Sequence, residues 1–126
     1  MKAGQINVNV SIKERSIIAR FAAWKLRTDR VAIVLGRTIH LHNTSRAQFL
    51  QNKAWVCHEL KHIQQFRQHG FISFIILYLW ESMLHGYSKN KYEIEARLAE
   101  NDESLFESFR IFSPGTNEKE RDSSSS

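Results

Sequence analysis

Residues 58–62 read His-Glu-Leu-Lys-His, and no other stretch of the chain restricts its fold as sharply. On a helix of about 3.6 residues per turn, His58 and His62 lie one turn apart on one face, so both imidazoles can reach a single metal ion. Glu59 lies about 100° round from His58, close enough to touch a water held by that metal and badly placed to bind the metal itself. Hydrolysis assisted by zinc requires this division of labour. With six His and ten Glu in the chain, a random shuffle produces the pattern only about 0.02 times per chain, and the plainer alternative is a surface helix carrying two solvated histidines.

The surrounding pattern supplies that helix and a small sheet. Ile6, Val8 and Val10 alternate with Asn7 and Asn9 as in a half-buried strand. Ser11 and Glu14 then read as a capping box opening a first helix to about Leu26, whose apolar stripe is Ile17, Ile18, Phe21, Ala22 and Trp24. Arg30–Leu35 and Thr38–His42 form a hairpin through Gly36 and Arg37, with Ile39 and Leu41 facing the core and Thr38, His40 and His42 facing outward. Ser45 and Gln48 make a second capping box before a helical stretch from Arg46 to His69, with a break expected near Asn52 and Gly70 as its C-terminal cap. A third helix is predicted from Phe71 to about Gly86 and a fourth from Asn90 to about Phe109. Residues 1–112 thus form one domain, and the charged, serine-rich segment 113–126 is expected to be disordered.

A chain of 126 residues with 42% hydrophobic side chains can bury a core in one domain without staples, and its lone Cys57 rules out an intramolecular disulfide framework. Cys57 diverges from His58 by about 100° and reads as a buried, inert thiol. Residues 1–53 carry ten Lys or Arg against two acids, and residues 54–126 carry eight against eleven, so the net charge of +5 splits into +8 and −3. Nucleic acid is not the expected main partner, because the basic half lacks interleaved aromatic recognition motifs. The polar N-terminus lacks a signal-peptide core, and the longest apolar run, Phe71–Trp80, is about half the length that spans a bilayer. The expected location is therefore cytoplasmic, with peripheral membrane association left open by the basic half.

A catalytic zinc site takes three protein ligands, and the segment NKYEIEAR (residues 90–97) offers Glu93 and Glu95 on the fourth helix. A helical hairpin between Gly70 and Asn90 would return them to the HELKH helix. The succession VLGRTIHL, HELKHIQQ and NKYEIEA resembles the gluzincin class of zinc metallopeptidases, especially short bacterial domains related to the extracellular contractile injection system core metallopeptidase domain. The resemblance covers about residues 31–100. It implies an α+β zincin-like domain with a short antiparallel sheet, a substrate-binding edge strand, an active-site helix and a following glutamate helix. It assigns His58 and His62 as zinc ligands and Glu59 as the general base. The Glu-x-x-Ala match points to Glu93 as the third ligand, with Glu95 as the alternative. Arg97 stands where an Asp often supports the first histidine, which leaves an orienting partner for His58 either to come from elsewhere or to be missing.

The expected activity is hydrolysis of a peptide or protein substrate bound in extended form along Thr38, Ile39, His40, Leu41 and His42. Tyr92, Tyr87 and His85 are the candidate donors to the oxyanion. The alternative is a catalytically weak, zinc-stabilised protein-binding module associated with a membrane surface. Phe71, Phe74, Ile75, Tyr78, Leu79 and Ser82 define one core-facing stripe of the third helix, while Ile72, Ile76 and Trp80 remain apolar on other faces. The first and fourth helices are expected to bury it all round; otherwise Phe71–Tyr87 presents an apolar patch to a protein partner, a second subunit or a membrane.

Overall fold

Strict alternation builds the first strand. In the computed structural model, which describes residues 8–112, β1 (Val8–Lys13) buries Val8, Val10 and Ile12 while Asn9 and Lys13 face solvent. The expectations for Ile6 and for the tail 113–126 lie outside the described residues. Strands β2 (Val31–Leu35) and β3 (Thr38–His42) form the predicted antiparallel hairpin, with Val34 opposite Ile39 and Gly36 at φ 67° in its turn. That left-handed conformation is one that glycine adopts without a Cβ penalty.

The sheet departs from the antiparallel expectation. Its order is β2-β3-β1-β4, and β1 runs parallel both to β3 and to β4 (Phe109–Phe112). Thr38–His42 is therefore interior, with β1 on one side and β2 on the other, and the free edge beyond the hairpin belongs to β2. The predicted fourth helix is broken before its expected end near Phe109, where β4 begins. Helix α5 (Lys91–Leu98) passes into a 3₁₀ turn at Ala99–Asn101, and Asp102 accepts from the Ser104 N–H, a local bond that competes with helix continuation before the short turn Leu105–Ser108.

Helix α1 (Ile17–Leu26) begins at Ser16, not at Ser11, which lies in β1. Glu14 caps elsewhere, accepting from the Arg46 N–H. Ser16 Oγ accepts from Ala19 N and lies 2.8 Å from His40 Nδ1, and Ser16 N donates to Leu41 O. These bonds fix the rotation of α1, so Ala19, Ala22 and Ala23 meet the sheet and, Ala22 apart, the predicted stripe turns outward, with Ile17 81% and Trp24 70% exposed. His40 is accordingly buried beneath α1, at 8% exposure, and does not line an outward polar face.

Its neighbours Ile39 and Leu41 point to the opposite face, as period-two geometry requires. There they join Val10 and Ile12, with Val56, Leu60 and Ile63 from the helix Lys53–His69, in the main core. The predicted capping box of Ser45 and Gln48 opens the helix Arg46–Gln51, and Asn52 makes the expected break, its Oδ1 accepting from Trp55 N to cap the next helix. In chain order these are α2 and α3, and α4 (Phe71–His85) follows Gly70, which adopts φ 89°. α4 is not buried all round. Phe74 is its one fully buried residue, and Ile72, Ile76, Leu79, Trp80, Met83 and Leu84 are each more than half exposed.

The two helices make a stability contrast. Leu60→Ala removes a fully buried side chain and is expected to cost about 2–5 kcal/mol, whereas Trp24→Ala should stay within about 0.5 kcal/mol. Denaturant titration of both variants checks this, and comparable losses would mean that α1 packs through its aromatic face.

Candidate metal centre

The site begins with the register of α3. Its Val56, Leu60 and Ile63 pack into the core, and the same register places His58 and His62 toward α5 with ring centroids 5.1 Å apart. Asn90 brings the third group back. Fully buried, it caps α5 by accepting from Tyr92 N and donates through Nδ2 to Tyr78 O and Ser82 Oγ, fastening α5 to α4.

Glu93, in the first turn of α5, then reaches both histidines: Oε1 is 3.0 Å from His58 Nε2 and Oε2 is 3.1 Å from His62 Nε2. One donor atom from each of His58, His62 and Glu93 lies within 4.8 Å of the others. The Glu95 carboxylate is engaged elsewhere, accepting from Gln65 Nε2 at 2.8 Å, and is not in this group. Cys57, also on α3, is buried and directs its thiol to Asp102 O.

The groups behind the histidines set their tautomers. His58 Nδ1 lies 2.9 Å from Glu100 Oε2, and His62 Nδ1 lies 2.9 Å from Gln65 Oε1. Both partners are acceptors, so each Nδ1 carries the proton and each Nε2 of a neutral ring keeps its lone pair for the centre. Glu100 supplies the orienting carboxylate that Arg97 cannot, and Arg97 instead donates to Ser88 O. His62 Nε2 is buried with no hydrogen bond of acceptable geometry, despite its proximity to Glu93. A buried nitrogen aimed at a second nitrogen and a carboxylate fits a divalent cation such as zinc, whose preferred donors are of these types.

Electrostatics distinguish the two glutamates. Burial would raise the Glu93 carboxyl, but His58 and His62 against its oxygens, with the Tyr78 hydroxyl donating to it, hold it well below the usual carboxylate range. Burial raises Glu59 to about 7 against the opposing pull of His62 and His58. Burial pushes His58 down, yet its bonds to Glu93 and Glu100 and the Glu59 charge outweigh this and raise it to about 9. His62 is also raised, because Glu93 and Glu59 overcome its burial.

A cleft of about 570 Å³ opens onto His58, Glu59, His62 and Glu93, and every residue of β2 borders it. Of the three expected oxyanion donors, only Tyr87 lines this cleft, its hydroxyl pushed up by burial and by the Glu93 and Glu59 charges. Tyr92 is buried against Phe74 and His69, and His85 is exposed at the end of α4, outside the cleft lining. Tyr78 packs against the core as predicted and is also part of the centre, edge-on to His62 and bonded to Glu93. Comparisons with protein-family models, with curated proteins and with solved structures find no match.

For the metal-free chain the sign of the pH dependence follows from His58. A folded-state value of about 9 against 6.5 for the free side chain gives stability that is complete below 6.5 and lost as pH rises through about 9. NMR titration of chelator-treated protein is expected to place the His58 midpoint near 9, with Glu100→Gln lowering it. A midpoint at the ordinary histidine value would contradict the bonding described.

Proposed function

We propose that this chain is a zinc-dependent hydrolase of peptide bonds, of the gluzincin kind that its motifs resemble. The observation that carries the reading is the convergence of His58, His62 and Glu93 on one point beside a buried Glu59. A purely structural metal site has no use for a buried carboxylate facing the same cleft. A carboxylate so placed suits the role of a group that must both take and return a proton.

In this reading His58, His62 and Glu93 hold zinc, while Glu100 and Gln65 orient the two imidazoles and Tyr78 steadies Glu93. Zinc, when bound, supplies Lewis acidity that polarises the scissile carbonyl and acidifies water. Glu59 takes the proton of the attacking water at a carboxylate oxygen and delivers it to the departing amine nitrogen. Tyr87 retains its hydroxyl proton and serves as donor to the developing oxyanion. The substrate lies extended along β2, the free edge beside the cleft, and its main chain adds to the sheet there.

Elemental analysis is expected to give about one zinc per chain, lost in His58→Ala and Glu93→Ala and kept in Glu95→Ala. Glu100→Gln should keep the stoichiometry and weaken affinity about 10- to 100-fold. Against a peptide library read by mass spectrometry, Glu59→Gln should retain zinc and lose about 100- to 10,000-fold in turnover. Zinc binding without turnover in the parent protein would favour a zinc-stabilised binding module.

A further inference from the structure

The two helices flanking the cleft carry more apolar surface than the domain covers. On α4, Ile72, Ile76, Leu79 and Met83 recur at i, i+4, i+7 and i+11, with Trp80 and Leu84 beside them, and all are more than half exposed. The inward face holding Phe74 and Tyr78 is apolar too, so α4 lacks the polar outer face of an ordinary surface helix. On α1 the exposed stripe is Ile17, Phe21 and Trp24, at i, i+4 and i+7. Phe21 from α1 and Leu79 from α4 both border the cleft, so each stripe meets it at one residue.

Charge identifies what fits this surface. Arg20 and Lys25 lie on either side of the α1 stripe, Arg27 and Arg30 follow with Asp29 between them, and α1 itself contains no acid. The single acid of α4, Glu81, accepts from the Lys91 N–H. An aromatic stripe with basic flanks matches the interface of an anionic bilayer, where apolar side chains enter the acyl boundary and Lys or Arg meet headgroup phosphates. A second copy related by a two-fold axis through α1 would set these cations against one another. Residues 113–126 contain no large apolar side chain with which to cover the face. At 15 residues α4 is too short to cross a bilayer, and no described helix is long and apolar enough to do so.

We infer that the exposed faces of α1 and α4 form one docking surface for an anionic membrane, which holds the cleft mouth at the lipid–water boundary. This inference does not depend on the hydrolysis proposed above.

Co-sedimentation of the full chain with phosphatidylcholine vesicles, with and without phosphatidylserine, tests it. Binding is expected to the phosphatidylserine vesicles, weakening with salt and accompanied by a blue shift of tryptophan emission. Arg20→Glu with Lys25→Glu should lower partitioning about tenfold or more. Trp24→Glu and Ile76→Glu should do the same while leaving the thermal melt unchanged, because both sites are exposed. Glu59→Gln should bind vesicles like the parent, which separates this result from any failure of the proposed chemistry. Absence of binding at low salt would overturn the inference, as would a concentration-dependent dimer that Trp24→Glu and Ile76→Glu convert to monomer.

Discussion

A carboxylate withdrawn from water governs this architecture. Glu93 is 3% exposed, and leaving such a charge uncompensated would cost on the order of several kcal/mol. Compensation comes from two imidazoles of α3 and one hydroxyl of α4, so three helices must meet at one side chain. The Asn90 bonds to Tyr78 O and Ser82 Oγ hold α4 and α5 at the separation that this meeting needs. α4, which buries only Phe74 fully, thus owes much of its placement to polar contacts made around the centre.

What the sequence disclosed follows the range of the interactions involved. The pairing of His58 with His62, the capping box at Ser45, the break at Asn52, the Gly36 hairpin turn and the Gly70 cap all depend on residues within about one turn of each other. Local physics therefore carried them. Glu93 was within reach because the helical hairpin it requires is bracketed by Gly70 and Asn90. The rotation of α1 was not: its pattern contains both an aromatic stripe and an alanine stripe, and only the bonds of Ser16 to His40 and Leu41 choose between them. Alternation likewise marks strands without naming their neighbours, so the insertion of β1 beside β3, and with it the edge position of β2, was hidden.

The partners behind the candidate ligand atoms show the same division. Gln65 lies three residues beyond His62, and that spacing was a usable signal for its bond to Nδ1. Glu100 lies seven residues beyond Glu93, but its reach depends on the 3₁₀ turn that tightens the end of α5. Tyr78 sits on an apolar stripe like any core residue, and only the packing of α4 against Glu93 gives its hydroxyl a role.

The parallel pairing of β1 with β4 has a consequence for how the domain assembles. Val8 is in register with Phe109, about a hundred residues along the chain, so the whole centre lies inside a loop whose two ends are fastened side by side. Phe109 and Leu105 also belong to the same buried cluster as Val8 and Leu60. Closing so long a loop loses chain entropy before its contacts are gained, which favours slow, highly cooperative folding. A nascent chain can form α3 early, but the sheet that supports it stays incomplete until the segment around Phe109 has emerged.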